Sequence, residues 1–290
     1  MQWRGMSANS SRLTEYLARI GLAVPPPATA EGLALVQQAH RRSVTFENLD
    51  IMLGRTIAVD SGTVFDKLVT QRRGGYCFEQ NRLFGDMLAA LGLASRALLA
   101  RVLLGAPTDE PPPRTHTLLL LEIGGESWIA DAGFGGSFIP PMRLADGFEV
   151  RTADGAGHRL RRIGAPGQVP GEWLLERAGR PAATDGRAAP HEDWQAQYAF
   201  DTAAAERADL EQANHWTATR PGTRFTSLHI VSCVLPDGFA ALTDRQLSMS
   251  RGGASESREI ADAQDYRATL REMFALELSE AEIARLPLFA

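Results

Sequence analysis

The spacing of apolar residues changes once along the chain, near Gly92. Before that point apolar side chains recur every three or four positions, as at Leu13, Leu17 and Ile20, which is typical of helices with one buried face. Thr29 is positioned to cap a second helix, and the run that ends at Gly92 predicts another. We therefore predict a helical bundle over residues 1–92.

Beyond Gly92 the apolar residues form short runs between turn residues. The runs 97–104, 117–123 and 128–130 predict strands, and we expect a β-barrel-like domain over residues 93–195. Residues 196–290 mix predicted helices with a strand over residues 225–235, so we expect an α/β lid domain there. The predicted fold class is α+β, with the three domains in series.

Two glycines place a histidine and a carboxylate side by side. Gly124 and Gly125 separate two apolar runs and predict a two-residue hairpin turn. With that turn, Ile123 faces Glu126 and His116 faces Gly133. Because side chains alternate faces along a strand, His116 and Asp131 then project from the same face as diagonal neighbours.

A cysteine follows two glycines in the stretch RRGGYCFEQN, residues 72–81, at the predicted start of a helix. The positive end of the helix dipole favours a thiolate, and glycine allows a ligand to approach the backbone. Cys77 is therefore a candidate nucleophile, although a small buried core cysteine is the alternative. Together the three residues predict a catalytic triad, with Cys77 as the nucleophile, His116 as the base and Asp131 as the acid that orients the histidine.

The chain closely resembles the arylamine N-acetyltransferases over nearly its whole length. The resemblance rests on the stretch at residues 72–81, on TFENL at residues 45–49, on His116, on DAGFG at residues 131–135 and on PGTRF at residues 221–225. It implies a cysteine-protease-like core and transfer of an acetyl group from acetyl-CoA to arylamines, arylhydrazines or hydroxyarylamines. We expect ping-pong chemistry through an acetyl-cysteine on Cys77.

The resemblance also implies supporting and substrate-binding residues. Glu47, Arg73 and Arg19 match positions that link the first domain around the cysteine turn, and a glutamate between two arginines would satisfy a buried charge. The alternative is three unrelated surface charges. For the flat acceptor we expect aromatic and flexible walls, formed by Phe46, Phe134, Gly135 and Phe225.

The sequence leaves several functions open. Thr45 stands where the family often has proline, and residues 150–195 are hard to match, which leaves the edge of the acceptor pocket undefined. An amide synthase that closes macrolactams would use the same triad. A papain-like or transglutaminase-like thiol enzyme shares the order of the residues, and a non-catalytic binding protein would keep only the fold.

Composition narrows the class of protein. A net charge of −5 gives no broad basic surface for nucleic acid, and the start of the chain lacks the apolar core of a signal peptide. Two distant cysteines and no membrane-length apolar run favour a reduced, cytoplasmic protein without a disulfide framework. Scattered histidines predict no metal site. The sequence leaves the oligomeric state open between monomer and dimer.

Other polar residues receive simple interpretations. We expect Cys233 to be buried in its apolar strand, His40 to be half-exposed on a helix, and His158 and His191 to be exposed in polar loops. The arginines in residues 159–162 form a solvated strand or, alternatively, attract phosphate groups.

Overall fold

The computed structural model describes residues 3–106, 110–188 and 193–289, without the side chains of residues 3–10. Its N-terminal part is mainly helical. In chain order the elements are α1 (Trp3–Arg19), α2 (Ala30–Ser43), the short strand β1 (Phe46–Glu47), α3 (Leu49–Met52), α4 (Ser61–Phe65) with a π-helical turn (Asp66–Thr70), and α5 (Cys77–Ala90).

Local chemistry sets several of these helix ends. The Thr29 hydroxyl accepts a hydrogen bond from the Gly32 amide at the start of α2, as predicted from the sequence. Asp60 caps α4 in the same way. Gly92 has a φ of 86°, a left-handed conformation that favours glycine, and it follows the end of α5.

Within the described residues, eight antiparallel strands form a nearly closed, barrel-like sheet. Their order in the sheet is β5-β4-β3-β2-β9-β8-β7-β6. The strands are β2 (Ser95–Val102), β3 (Arg114–Ile123), β4 (Glu126–Ala130), β5 (Met142–Arg143), β6 (Glu149–Arg151), β7 (Gly157–Arg162), β8 (Trp173–Ala178) and β9 (Gln195–Phe200).

In the described residues, β1 and four later strands form a second, five-stranded sheet with the order β1-β10-β11-β12-β13. The strands are β10 (Ile230–Leu235), β11 (Gly238–Thr243), β12 (Gln246–Arg251) and β13 (Ala254–Glu259), and the helices of this part are α6 (Arg207–Thr219), α7 (Arg224–Ser227), α8 (Ala263–Phe274) and α9 (Glu280–Arg285). Phe46 on β1 pairs with Ser232 on β10, so the TFENL segment at residues 45–49 supplies an edge strand of this sheet.

Strand β3 is buried on both faces. Leu119 and Leu121 pack with Leu83 and Phe84 of α5 in one core, while the alternate residue Leu118 lies in the core inside the barrel-like sheet. Because side chains alternate along a strand, one strand connects the helical part to the barrel. This arrangement holds α5 firmly against the strand that carries His116.

The predicted α+β fold class is confirmed, and so is the hairpin at Gly124 and Gly125. Ile123 pairs with Glu126 as predicted, and the ladder continues to Leu119 opposite Ala130. It ends there, so the predicted facing pair of His116 and Gly133 does not form. The division into three domains stays a prediction; strand β9 crosses its second boundary at residues 195–196.

Three interpretations from the sequence are wrong. The strand expected over residues 225–235 begins only at Ile230, since the short helix α7 occupies residues 224–227 first. His40 is fully buried because Tyr16 and Gln80 give both of its ring nitrogens hydrogen-bond partners, at 2.8 and 2.6 Å. His158 lies on β7 and is also fully buried. His191, for which the same exposed loop was expected, lies outside the described residues.

The other two simple interpretations agree with the structure. Cys233 is 6% exposed in the apolar strand β10. The arginines on β7 form ion pairs with carboxylates on and next to β8: Arg159 with Glu176 at 2.8 Å and Arg162 with Glu172 at 3.3 Å. These pairs favour the solvated strand over the phosphate site.

Candidate active site

Cys77 is the first residue of α5, as the sequence predicts. The Glu79 carboxylate accepts a hydrogen bond of 3.1 Å from the Tyr76 amide, which caps the helix start. A β-carbon on Gly75 would lie 2.7 Å from the same carboxylate, and one on Gly74 would lie 2.5 Å from the backbone oxygen of Thr45. Only glycine allows this close approach at the cysteine turn.

The Cys77 thiol is almost completely buried, at 2% exposure. Its Sγ lies 3.6 Å from the backbone oxygen of Thr115, the neighbour of His116. Burial raises the pKa of Cys77 well above the usual thiol value, and the negative charge of Asp131 raises it further. A nearby imidazolium is the kind of group that offsets these two effects.

His116 and Asp131 meet as the hairpin predicts. His116 Nε2 lies 2.7 Å from Asp131 Oδ2, and both side chains are buried. Burial raises the pKa of Asp131, but the charge and hydrogen bond of His116 and the hydrogen bonds of Asn81 and Gly133 outweigh it, so the net shift is downward. Asp131 is therefore ionised and fixes the orientation of the imidazole ring.

Two aromatic rings pack against His116, one from the loop after β4 and one from strand β9. The ring centroids of Phe134 and Tyr198 lie 5.4 and 5.0 Å from that of His116. The contact of Tyr198 with His116 was not predicted from the sequence. Tyr198 lies on β9, 82 positions beyond His116, and no sequence motif links the two residues. The rings limit the water around the imidazole, which strengthens its electrostatic contacts.

Asn81 is a second residue whose role the sequence does not reveal, although it closes the RRGGYCFEQN stretch. It lies one turn of α5 beyond Cys77, and its Nδ2 donates to Asp131 Oδ1 at 3.0 Å and to the Thr117 oxygen at 2.6 Å. Its Oδ1 accepts from the Ala132 amide at 2.9 Å. Asn81 thus ties the helix of the thiol to the strand ends that carry His116 and Asp131.

A cavity of about 560 Å³ opens beside these groups, within the size range of small-molecule sites. Both Cys77 and His116 line it. The four predicted substrate-binding residues do so as well, and they are Phe46, Phe134, Gly135 and Phe225.

Gly135 has a steric role in the wall of this cavity. A β-carbon on Gly135 would lie 2.5 Å from the ring of Phe46, which real side chains do not tolerate. Phe46 in turn packs against Phe225 with ring centroids 6.0 Å apart. The glycine therefore allows an aromatic ring of β1 to reach the cavity wall.

The predicted Arg19–Glu47–Arg73 chain is only partly formed. Arg73 Nη2 lies 3.9 Å from Glu47 Oε1 and 3.0 Å from Asp50 Oδ1. Arg19 instead donates to the backbone oxygens of Leu68 and Ser43, and in the described part of the chain it makes no ion pair with a carboxylate. Backbone carbonyls satisfy its guanidinium because α1 packs directly on the π-helical turn.

Lys67 takes the bridging position that was expected of an arginine. Its Nζ lies 2.7 Å from both Asp50 and Glu79, so it joins the cap of the cysteine helix to the charges around Arg73. Burial lowers the pKa of Lys67, but the charges of Glu79, Glu47 and Asp50 raise it by more than burial lowers it. The net shift of the pKa is upward, so the ammonium form is favoured. No sequence pattern indicates this role for a lysine that lies ten residues before the thiol.

Two properties of the described ranges bear on the class of protein. Across residues 3–106, 110–188 and 193–289, no group of three or more histidine, cysteine or acidic residues is arranged to hold a metal ion. In the same ranges, no helix combines the length and the apolar character that crossing a bilayer requires.

Comparisons with known proteins give one consistent result. A family model described as N-acetyltransferase matches residues 29–283. The arylamine N-acetyltransferase of Escherichia coli (strain K12) is 36% identical over 274 residues, which covers 93% of this chain and 90% of the relative. A Salmonella typhimurium protein named arylamine N-acetyltransferase / N-hydroxyarylamine O-acetyltransferase is 34% identical, over 94% of this chain and 92% of its own length.

Solved structures of such proteins have the same fold. The arylamine N-acetyltransferase from Salmonella typhimurium superimposes with a TM-score of 0.85 at 33% identity, over 95% of this chain and 97% of that one. The Mycobacterium marinum arylamine N-acetyltransferase in complex with CoA gives a TM-score of 0.83 at 31% identity, over 96% of this chain and 100% of that one. The chain therefore belongs to the arylamine N-acetyltransferase family.

Proposed function

We propose that this protein transfers an acetyl group from acetyl-CoA to the nitrogen of arylamines, arylhydrazines or hydroxyarylamines. Its relatives from Escherichia coli and Mycobacterium marinum are arylamine N-acetyltransferases, and the latter is described in complex with CoA. The observation that carries the proposal is the 2.7 Å contact between His116 and Asp131 at the wall of the cavity that Cys77 also lines. A thiol, an imidazole and a carboxylate that orients the imidazole are the three groups of a cysteine catalytic triad.

Each member of the triad has a defined task in the proposal. The Nε2 atom of His116 is engaged by Asp131, which leaves Nδ1 to take the proton of Cys77. Transfer of the thiol proton to His116 creates the thiolate next to an imidazolium, which offsets the upward effect of burial and Asp131 on the pKa of Cys77. The charge of Asp131 stabilises that imidazolium.

The reaction then proceeds in two half-reactions. The Cys77 thiolate attacks the thioester carbonyl of acetyl-CoA, the carbon–sulfur bond of the donor breaks, and CoA leaves with the proton held by His116. An acetyl-cysteine remains on the enzyme. The acceptor amine attacks its carbonyl, His116 takes a proton from the amine, and the Cys77 sulfur leaves as the thiol.

In the proposal, the supporting residues shape the acceptor pocket and hold the cysteine turn in place. Phe46, Phe134 and Phe225 offer aromatic walls to a flat acceptor, and Gly135 leaves room for the ring of Phe46. Glu47 and Arg73 stabilise the cysteine turn within the charge network that includes Lys67. We assign Arg19 a structural role, since it binds the backbone of the neighbouring turn.

The two cysteines of the described chain are both free and buried. A thiol nucleophile needs a reducing compartment, so we propose that the protein works in the cytoplasm. Its proposed partners are acetyl-CoA and a small aromatic amine or hydrazine, and a net charge of −5 gives no basis for nucleic-acid binding.

A panel of acyl-CoA donors against arylamine and hydrazine acceptors tests the proposal. We expect acetyl-CoA to be consumed with formation of the N-acetyl product, with initial rates that follow ping-pong kinetics. The Cys77→Ser variant is the inactive control. Absence of N-acetylated product with every acceptor, while the protein is folded, would contradict the proposed function.

A further inference from the structure

The loop that follows β4 supplies several parts of the active site. Residues 131–139, which we call the acid loop, form no helix or strand. The loop begins with Asp131 of the triad, and its residues Gly133, Phe134 and Gly135 line the cavity. A buried backbone outside helices and sheets needs other hydrogen-bond partners, and those partners determine its position.

One buried glutamine binds both ends of the acid loop. The Asp131 amide donates to Gln37 Oε1 at 3.0 Å, and Gln37 Nε2 donates to the Ile139 oxygen at 2.6 Å. Gln37 lies on α2 and is completely buried. A single side chain therefore holds the first and the last residue of the loop, and one of its two contacts is made directly with a member of the triad.

The middle of the acid loop is held separately. Arg41 lies four positions after Gln37, hence on the same face of α2, and its Nη2 donates to the Phe134 oxygen at 3.0 Å. Ser232 on β10 donates to the Gly135 oxygen, also at 3.0 Å. Because these two contacts do not involve Gln37, we expect its loss to shift the ends of the loop without detaching the whole segment.

Asp131 is held from two sides. Asn81 on α5 donates to its carboxylate at 3.0 Å, and Gln37 on α2 accepts from its amide at 3.0 Å. The other carboxylate oxygen lies 2.7 Å from His116 Nε2. A side chain cannot keep its place when its own backbone moves. The contact of Gln37 with the amide therefore helps to determine where the carboxylate meets the imidazole.

The acid loop also packs against the helix of the nucleophile. A β-carbon on Gly133 would lie 2.8 Å from both the Cα and the backbone oxygen of Cys77. A small shift of the loop therefore changes the position of Asp131 relative to Cys77 as well as to His116. Misplacement of a catalytic group by about 1 Å can lower a rate by about 100-fold.

We propose that Gln37 is a positioning residue, which fixes the ends of the acid loop and thereby sets the Asp131 carboxylate against His116. The inference rests on the proposed function, which gives that carboxylate its task. Among the described residues that line the cavity Gln37 is absent, so it acts through Asp131. The alternative is a glutamine that only satisfies buried backbone groups and contributes to stability alone.

Single-turnover acetylation of Cys77 by p-nitrophenyl acetate, followed by intact mass, tests the proposal. Gln37→Met keeps the length of the side chain but not its hydrogen bonds, and it should lower the maximal acetylation rate by about 10- to 100-fold. The half-saturating donor concentration should change little, because Gln37 lies outside the cavity. Gln38→Met, at the next and half-buried position of α2, is the matched control and should keep the rate of the unmodified protein.

A double variant separates positioning from stability. In the Asp131→Asn background the carboxylate that Gln37 positions is absent, so Gln37→Met should lower the rate there by less than about threefold. A glutamine that only supports the fold would cause the same fold-loss in both backgrounds, and that result overturns the proposal. Equal rates in Gln37→Met and Gln38→Met overturn it too. So does a higher half-saturating concentration with an unchanged maximal rate, since Gln37 would then shape the donor site.

The acetylation rate constant does not depend on how much of a variant is folded, because the final acetylated fraction reports that amount separately. Should Gln37→Met not fold, Gln37→Asn is the second variant. Its side chain is one methylene shorter and cannot bind both ends of the loop, so we expect a slower maximal rate here as well, and an unchanged rate overturns the proposal. If the dependence on Gln37 holds but no arylamine accepts the acetyl group, the proposed function fails and the role of Gln37 stands.

Discussion

Asn81 donates a hydrogen bond of 3.0 Å to Asp131, and this contact joins the helix that begins at Cys77 to the carboxylate beside His116. The thiol and the acid lie on different elements, 54 positions apart in the sequence. Their relative position therefore depends on a connection between those elements. Asn81 supplies it with one side chain whose two polar atoms are both engaged.

Replacing Asn81 by alanine should reduce turnover by about 10- to 100-fold, because the Asp131 carboxylate loses a positioning donor. The buried partners left without hydrogen bonds should lower the free energy of unfolding by about 1–3 kcal/mol. Steady-state kinetics and urea unfolding measure the two effects. Arg82→Ala, at the neighbouring half-exposed position, serves as control. Turnover equal to that of the control would show that Asn81 does not position the acid.

Replacing Asp131 by asparagine should reduce turnover far more. The change keeps the shape but removes the charge that stabilises the His116 imidazolium, and the equivalent change in a serine protease triad lowers the rate by about 10⁴. We also expect alkylation of Cys77 by iodoacetamide to require a higher pH in the variant. Thermal unfolding must be measured alongside, because Asp131 is buried. A folded variant with near-normal turnover would remove Asp131 from the triad.

Buried His40 should make the fold sensitive to moderate acid. Burial lowers its pKa to about 3, whereas an unfolded histidine titrates near 6.5. Below pH 6.5 the unfolded chain therefore binds a proton that the folded protein does not, and stability falls as the pH drops towards 3. His40 alone contributes up to about 1.4 kcal/mol per pH unit in this window.

The substitution His40→Gln should make that dependence less steep without removing it, because burial also lowers the pKa of His158 to about 3. Denaturant unfolding between pH 6.5 and 4 measures the change. The variant loses some stability at neutral pH, because the buried partners Tyr16 and Gln80 must find a new arrangement. His215→Gln, on the exposed face of α6, should keep the dependence of the unmodified protein. An equally steep dependence in His40→Gln would exclude His40 as its source.

Replacing Gly135 by alanine should displace the ring of Phe46, since the new β-carbon would lie 2.5 Å from it. We expect a loss of about 1–3 kcal/mol in stability, as for other overpacked sites, and a higher KM for the acceptor. Gly85→Ala is the matched control, because its β-carbon would meet its nearest neighbour at 3.5 Å within a helix. An unchanged acceptor KM in Gly135→Ala would show that Phe46 does not border the acceptor.

The parts of the site that could be predicted from the sequence are those set by local rules. A two-residue glycine turn fixes the register of its hairpin, so the proximity of His116 and Asp131 followed from counting residues. The glycine pair before Cys77 and the apolar spacing after it located the helix start.

The parts that could not be predicted depend on packing between distant segments. Tyr198 reaches His116 only because β9 pairs with β2, the strand next to β3 in the barrel-like sheet. Lys67 bridges two carboxylates because a π-helical turn directs it inward, and Arg19 finds backbone carbonyls instead of Glu47. Periodicity alone does not report which partners a buried polar side chain will meet.

Mass spectrometry can show whether Cys77 carries the acetyl group, the step on which the proposed function depends. After incubation with acetyl-CoA, intact mass should increase by one acetyl group, and peptide mapping should place that group on Cys77. Addition of an arylamine should remove it and yield the N-acetyl product. Cys233→Ala should behave like the unmodified protein, because Cys233 is buried in β10 away from the cavity. An acetyl group on Cys233, or an acetyl-enzyme formed by Cys77→Ala, would refute the assignment of Cys77 as the nucleophile.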